Sequence, residues 1–225
     1  LKQFADELEK AKDFENSLHK LIRREITEHW KIIFNGNGYD SSWVEEAQQR
    51  GLLNLKTLPD AMAEYLNPKN IKLFTDMGVY TQIEMESHYD IKLEKYCQVL
   101  NIEVETMLEM INKDILPAVF KYMNAISDTV IKVKQAFPEA ECSAEKILLQ
   151  KLDSHVNNLS KKADEIWIKH NEANKLTNIM ECAKAYANDI LPAMEEARYF
   201  ADEMEPLLGE EYKPFPSYED LLFRI

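Results

Sequence analysis

Glycine is scarce in this 225-residue chain: only five occur, and none lies between Gly78 and Gly209. Glycine supplies the backbone angles of tight turns and helix ends, so a stretch this long without it has few places to turn sharply. The same stretch is rich in Leu, Ile, Ala, Glu, Lys and Met, which favour helices. The sequence therefore predicts a small number of long helices.

Cysteine, long apolar runs and positive charge are also in short supply. The three cysteines have no CxxC spacing, which predicts free thiols in a reducing cytoplasm and argues against a disulfide or zinc framework. No apolar run approaches the roughly 20 residues that span a bilayer, and the charged, amphipathic opening is unlike a signal peptide. The formal net charge of -13 repels nucleic-acid phosphates and anionic lipid. We expect a cytoplasmic protein that binds neither nucleic acid nor membrane.

The first 34 residues carry a helical pattern from the outset, without a capping residue before it. Because a natural chain seldom starts inside a helix, we expect this chain to be a piece of a longer polypeptide. One helix is predicted to run to about Phe34, since apolar residues recur at spacings of three and four: Phe4, Leu8, Ala11, Phe14, Leu18 and Leu21.

Residues 35 to 80 hold several helix start and stop signals in close succession. Ser42 and Glu45 have the spacing of a capping box, in which each side chain bonds the backbone N–H of the other residue. Two more starts combine a capping Thr or Asn with a nearby Pro, and glycines end two of the helices: Thr57 with Pro59, Asn67 with Pro68, Gly51 and Gly78. We expect three short capped helices here.

The remainder reads as a bundle of long helices. Thr81 and Glu84 form a second predicted capping box, and the helix that it opens is expected to reach about Ala136. Pro138 and Ser143 mark a turn. Apolar residues alternate spacings of three and four along three seams: Val104, Leu108, Ile111, Ile115, Ala118, Tyr122 and Ala125; Leu149, Leu152, Val156, Leu159, Ala163, Ile166, His170 and Ala173; Leu176, Ile179, Ala183, Tyr186, Ile190, Ala193, Ala197, Phe200, Met204 and Leu207. Short turns between such helices predict an antiparallel up-down-up bundle.

A five-residue repeat, Asp-Ile-Leu-Pro-Ala, occurs at residues 114–118 and again at 189–193. Each proline removes one backbone hydrogen bond, so we expect each to bend its helix. Counting back through the predicted turns places Pro117 and Pro192 at a similar height on two parallel arms.

Motifs for common chemistry are absent from the sequence, including GxxxxGK[ST], GxGxxG, GxSxG and HExxH. The Asn-Gly-Asn-Gly-Tyr loop at residues 35–39 follows no strand, which predicts a structural turn. Glu25 with His29 and Glu84 with His88 are spaced by four, whereas di-metal bundles use Glu-x-x-His; we interpret both as surface pairs. His170 lies on a seam and is predicted to be an interior histidine. We therefore predict no catalytic, cofactor-binding or metal-binding residue.

The C-terminal segment from Tyr212 to Phe223 reads YKPFPSYEDLLF, in which two prolines impose an extended path. This tail resembles the ending of type III glutamine synthetases, the large bacterial form of that enzyme. Further segments in the same order are similar to the family: residues 32–39, 50–55, 78–81 and 115–119. The resemblance covers essentially the whole chain and identifies it as the C-terminal region of such an enzyme.

The resemblance implies a parent enzyme that makes glutamine from glutamate and ammonia, using ATP and Mg²⁺ or Mn²⁺, in stacked hexameric rings. The family's catalytic and metal-binding residues lie N-terminal to the matched region, so no cofactor is expected here. We expect residues 1–80 to continue from an absent catalytic domain, residues 81–208 to form the bundle and residues 209–225 to form a docking tail. The implied role is structural, through contacts with the chain's own catalytic domain and with neighbouring subunits.

A different class of protein fits the same helical patterns. A free-standing acidic helical-bundle adaptor that binds protein partners would also have heptad seams. The helix without a beginning and the capped region at residues 35–80, which a simple coiled coil does not need, favour the enzyme piece.

Overall fold

A computed structural model describes residues 1–223, apart from the side chains of Tyr218 and Glu219. Across this part of the chain the elements are helices and turns without a strand, which confirms the predicted all-α fold. None of these helices is both long and apolar enough to cross a membrane. The chain forms two compact units, Leu1–Lys56 and Thr57–Ile225. The three-part division at residues 80 and 208 stays a prediction.

The first unit begins with two helices where one was predicted. The prediction of one helix that runs to Phe34 is wrong, because Asp13 caps a new helix. The Asp13 carboxylate accepts a hydrogen bond from the Asn16 backbone N–H at 3.1 Å. Arg24 reaches back across the break and donates two hydrogen bonds, of 3.0 and 2.9 Å, to Glu7. The elements of this unit are α1 (Lys2–Glu9), α2 (Phe14–Glu28), a 3₁₀ turn (Trp30–Ile32) and α3 (Ser41–Gln49).

The N-cap of helix α3 lies two residues before the predicted one. Asp40, in an extended conformation, accepts from the Ser42 backbone N–H at 2.9 Å and is the N-cap, so the predicted Ser42 capping box is wrong. The carboxylate already occupies the position that satisfies the first orphan donors of the helix. Gly51 ends the helix as predicted, with a positive φ of 73° that a residue with a Cβ rarely adopts.

The second unit opens with the other predicted caps. Thr57 and Asn67 accept backbone hydrogen bonds at the starts of their helices, which confirms both. Thr81 and Glu84 form the reciprocal capping box of the long helix that follows. The helices are α4 (Leu58–Tyr65), α5 (Pro68–Asp76) and α6 (Gln82–Met110).

Three long arms form the antiparallel bundle that the seams predict. The first arm is α6, a π-helical segment (Ile111–Ile115) and α7 (Leu116–Ala136); the second is α8 (Ser143–Ala173); the third is α9 (Ile179–Ala185), a π-helical segment (Tyr186–Ile190) and α10 (Leu191–Met204). Asn101 of the first arm contacts Asn174 near the end of α8, and Lys162 in the middle of α8 pairs with Glu196. These contacts set α8 antiparallel to both other arms.

The predicted seam is correct along α8, where every position is buried except the partly buried Leu149. In α7 the buried positions are instead Leu116, Val119 and Ile126, each one residue after a predicted seam residue. The π-helical segment explains this shift, because its i→i+5 bonding accommodates one extra residue and rotates all later side chains.

Both copies of the Asp-Ile-Leu-Pro-Ala repeat overlap a π-helical segment. The N–H of Leu116 donates to the carbonyl of Ile111, and Leu191 donates to Tyr186 in the same way, each five residues back. A proline ring clashes with the carbonyl four residues earlier in a regular helix, and the wider π turn gives it room. That either proline bends its helix stays a prediction.

The two prolines are not at a similar height. Tyr186, which opens the second π-helical segment, lies beside Asn101 of the parallel first arm, whereas the first π-helical segment opens at Ile111. The offset of ten residues is about 15 Å along the helix axis. The difference arises because the short α9 enters the bundle partway along α6.

The C-terminal tail is extended only between two helical pieces. A 3₁₀ turn (Glu210–Tyr212) precedes the extended stretch, and α11 (Tyr218–Phe223) follows it. The ring of Tyr212 packs on Tyr122 of α7 with centroids 5.0 Å apart, so this end of the tail lies on the bundle. Leu221, Leu222 and Phe223 remain exposed.

The packing of α8 predicts unequal effects for two neighbouring isoleucines. Ile166 is fully buried, whereas Ile168 is 58% exposed. We expect Ile166→Ala to lower the free energy of unfolding by about 2–5 kcal/mol through lost burial and a cavity, and Ile168→Ala to change it by about 0.5 kcal/mol or less. Urea unfolding followed by circular dichroism measures both; equal effects would contradict the assigned core face.

Candidate functional site

The glycine-rich loop at residues 35–39 is a turn in the structure. Asn37 accepts from the Tyr39 backbone N–H at 3.1 Å through its side chain, and from Asp40 through its carbonyl. The ring of Phe34 leads into the loop and stacks on Trp43 with centroids 4.3 Å apart. The loop is held by its own short-range hydrogen bonds and by this aromatic pair.

Arg50 anchors the chain just before that loop, a role that the sequence analysis missed. Its guanidinium donates to the carbonyl of Ile33 at 2.8 Å and of Lys31 at 3.2 Å, pairs with Glu46, and lies 5.4 Å from the centre of the Trp43 ring. The Ile33 carbonyl is 17 residues from Arg50 in sequence, and no local pattern marks that pairing. The guanidinium thereby makes three hydrogen bonds within the protein.

The two Glu–His pairs behave differently from each other. Glu25 pairs with His29 at 3.3 Å, and with Glu28 these residues hold three ligand atoms within 4.8 Å of one another. The group is largely exposed, and Glu25 also accepts a hydrogen bond from Arg24, whose positive charge opposes a metal ion. In the other pair, Glu84 caps α6 while the His88 ring contacts Tyr80. The absence of a metal site stays a prediction.

A polar network runs from the core of the bundle to its surface through His170, Tyr186, Asn174 and Asn101, and we call it the His170 network. His170 is only 2% exposed, which confirms that it is an interior histidine. Its Nδ1 lies 3.2 Å from the hydroxyl of Tyr186, and its Nε2 lies 3.2 Å from the amide nitrogen of Asn174. The Tyr186 hydroxyl donates to the Asn174 carbonyl oxygen at 3.1 Å. The network thus joins α8 to the second π-helical segment.

The hydrogen bonds of the His170 network assign one tautomer of the histidine. The Asn174 amide nitrogen is only a donor, so Nε2 accepts and the proton sits on Nδ1. Nδ1–H then donates to Tyr186, Tyr186 donates to Asn174, and Asn174 donates back to His170. A second amide hydrogen of Asn174 reaches the Asn101 side-chain oxygen at 3.3 Å. This closed loop satisfies each partner while the imidazole is neutral.

Burial shifts the pKa values of three side chains in and beside this network. Burial lowers the pKa of His170, and the Glu105 carboxylate, 3.9 Å from Nε2, opposes that shift. Burial raises the pKa of Tyr186 to about 12, and burial beside Cys182 raises the pKa of Cys97 to about 12. Cys97, Cys142 and Cys182 are free thiols, as predicted. The hydrogen bonds of this network fix the position of α8 relative to the third arm.

Only one member of the network was recognised from sequence. The seam contained His170 and Tyr186, but Tyr186 was assigned simply to packing, and Asn101 and Asn174 were not singled out. A signal was available: His170 and Asn174 are four residues apart on one helix, where their side chains are neighbours. The partners from the other arms become visible only in the folded bundle.

Apolar side chains remain uncovered within each unit. In the first unit, Ile22, Ile26 and Trp30 follow a spacing of four and are 46%, 46% and 57% exposed. In the second unit, Leu222 and Phe223 of α11 are more than 70% exposed. Apolar residues repeated along one helix face, or grouped at a terminus, are typical of surfaces that another protein element covers.

Protonation of His170 should destabilise the bundle, because Nε2–H would face the amide hydrogens of Asn174. The unfolded histidine titrates near 6.5, and burial lowers the pKa in the folded state. Below pH 6.5 the histidine of the unfolded state therefore binds more protons than His170 of the folded state. As the pH is lowered from 6.5, the free energy of unfolding decreases until the pH has passed the pKa of the folded state.

Urea unfolding at about pH 7.5 and about pH 5.5 tests this linkage. The loss of stability between them should be smaller in His170→Gln than in the unchanged chain. His19→Gln, on the exposed face of α2, is the control and should leave the loss unchanged. The same pH dependence in His170→Gln and in the unchanged chain would contradict the assignment.

Comparisons with known proteins show which family this chain resembles. Residues 17–134, just over half of the chain, match the model of the glutamine synthetase C-terminal domain. A glutamine synthetase of Butyrivibrio fibrisolvens is 34% identical over 213 residues, covering 95% of this chain and 30% of that protein. A type-3 glutamine synthetase of Dictyostelium discoideum is 26% identical, with the same coverage of 95% and 30%. A glutamine synthetase of Bacteroides fragilis (strain YCH46) is also 26% identical, covering 93% of this chain and 29% of that protein.

The chain thus spans about 30% of the length of these relatives. The match to the family model runs through most of α2, the capped helices and nearly all of the first long arm. It agrees with the resemblance found in the sequence. The chain belongs to the glutamine synthetase family and carries its C-terminal domain.

Proposed function

We propose that this chain is the non-catalytic, C-terminal helical part of a type III glutamine synthetase. The parent enzyme would convert ATP, glutamate and ammonia to glutamine, ADP and phosphate. The observation that carries the proposal is the coverage: 95% of this chain aligns with 30% of two glutamine synthetases, one of them a type-3 enzyme. The alternative of a free-standing adaptor has no comparable support.

The polar groups of the described residues fit a non-catalytic role. The His170 network is closed upon itself, with His170 and Tyr186 buried. Arg50, which anchors the chain just before the glycine-rich loop, already donates to Glu46 and to backbone carbonyls. These residues do not fit ATP, whose phosphates need free donors and cations. A catalytic metal does not fit the group formed by Glu25, Glu28 and His29, because the Glu25 carboxylate is hydrogen-bonded to the Arg24 guanidinium. ATP and Mg²⁺ or Mn²⁺ would be held by other parts of the parent enzyme.

The structural role would be exercised through the uncovered apolar side chains. Ile22, Ile26 and Trp30 in the first unit, and Leu222 and Phe223 in the tail, would pack on the catalytic portion of the same polypeptide or on a neighbouring subunit. The partner assembly would be a cytoplasmic homo-oligomer of stacked hexameric rings. The net charge of -13 keeps the exposed helices soluble and disfavours nucleic acid.

An assay of phosphate release with glutamate, ammonia, ATP and Mg²⁺ tests the catalytic assignment. The 225-residue chain alone should show no glutamate-dependent and ammonia-dependent release above background, whereas the full-length polypeptide that contains it should be active. Ligase activity in the chain alone would show that the non-catalytic assignment is wrong. An inactive full-length polypeptide would remove the proposed parent activity.

A charge placed in the tail should weaken assembly of the full-length polypeptide. Leu222 is 73% exposed, so Leu222→Asp should leave the stability of the 225-residue chain unchanged within about 0.5 kcal/mol. In the full-length polypeptide it should shift the mass measured by light scattering to smaller species, because a charge would be buried at an interface. Ile131→Asp, on an equally apolar exposed position of α7, is the control. An unchanged oligomer of unchanged stability would count against a docking role for the tail.

A further inference from the structure

A cavity of about 270 Å³ lies within the second unit, between the first π-helical segment, α10 and the tail. Ile111, Val119 and Met204 are buried and line its inner side. Pro214 and Phe215 of the tail close another side, and the extended stretch between the two helical pieces of the tail brings them there. The cavity therefore exists only in the folded unit with its tail in place.

The lining is mostly apolar and contains three thioethers. Met107, Met110 and Met204 all line the cavity, and Phe215 adds one aromatic ring. Methionine side chains adapt their shape to a guest, and their sulfur atoms make favourable contacts with aromatic rings. Aromatic rings also stack on one another in offset or edge-to-face geometry. This combination favours a flat aromatic guest over a branched aliphatic one.

The charged residues that line the cavity decide the charge of the guest. Arg198 donates to Asp202 at 3.2 Å, so its positive charge is compensated. Glu205 adds a further negative charge, which leaves the three residues with a formal net charge of -1. An anionic guest such as a carboxylate or phosphate would be repelled and would lose hydration without gaining a free cation.

We propose that this cavity is a binding site for a small, uncharged aromatic molecule of one or two rings. An apolar cavity of about 150 Å³ is known to admit benzene, so a cavity nearly twice that volume has room for a fused two-ring compound. The guest would contact the first arm, the third arm and Phe215 together, so its binding would hold the tail on the bundle. Such a ligand differs in kind from the charged substrates of a glutamate–ammonia ligase.

Indole is a suitable probe, because it is uncharged, flat and bicyclic. Isothermal titration calorimetry on the 225-residue chain should show saturable binding of one indole. Ala201→Leu fills the cavity from α10 and should weaken binding by about tenfold or more, since added bulk in an apolar pocket has effects of that size. Ala144→Leu, at an exposed position of α8, is the matched control and should bind like the unchanged chain. Indole-3-acetate, the anionic analogue, should bind more weakly than indole.

Several results would overturn the proposal. These are absence of saturable indole binding, binding that is equally strong in Ala201→Leu, and stronger binding of indole-3-acetate than of indole. Circular dichroism shows whether Ala201→Leu is folded. If it is not, Phe215→Ala provides the test, because Phe215 is a partly exposed wall of the cavity and its loss should weaken binding. Unchanged binding in Phe215→Ala would equally refute the site.

Discussion

The closed hydrogen-bonded loop of His170, Asn174 and Tyr186 is the constraint on which the bundle arrangement depends. The seams around it are apolar, and burial of apolar surface has no preferred direction, so apolar contacts alone tolerate a shift of one helix along another. Buried hydrogen-bonding groups do not tolerate such a shift, since each unsatisfied donor or acceptor costs about 1–3 kcal/mol. The loop closes at one relative position of α8 and the third arm, and Asn101 extends it to the first arm. It therefore favours one alignment of the three arms among several that the seams alone would allow.

The two π-helical segments give this simple bundle its individual features. Each overlaps a copy of the same five-residue repeat and makes room for its proline. The second segment opens with Tyr186 and so supplies a member of the His170 network. The first segment supplies Ile111 and Ile115 to the lining of the apolar cavity and moves the seam of α7 by one residue. Such local irregularities in helices are often associated with specific sites, and here they coincide with both the polar and the apolar site of the bundle.

The buried core of the bundle and the uncovered apolar side chains contribute differently to the proposed role in a larger enzyme. The core of the bundle is complete within the second unit, from the fully buried Leu93 near the start of the first arm to the buried Met204 near the end of the third. The apolar residues along α2 and at the end of the tail are not covered within their own units. A complete core in the second unit, together with uncovered apolar side chains in each unit, is what the proposed assembly role would require.

Local signals in the sequence determined the helical class, the seam of α8 and the caps at Thr57, Asn67 and Thr81, because those features arise from neighbours within a few residues. The break before Asp13 and the cap at Asp40 were also encoded locally, yet the heptad pattern and a competing Ser-x-x-Glu pattern obscured them. Only the tertiary structure decided the anchoring by Arg50 and the partners of His170. Their energies come from contacts between residues distant in sequence, such as Tyr186 with Asn174 across two helices, and a periodic pattern in one helix does not specify what its neighbour presents.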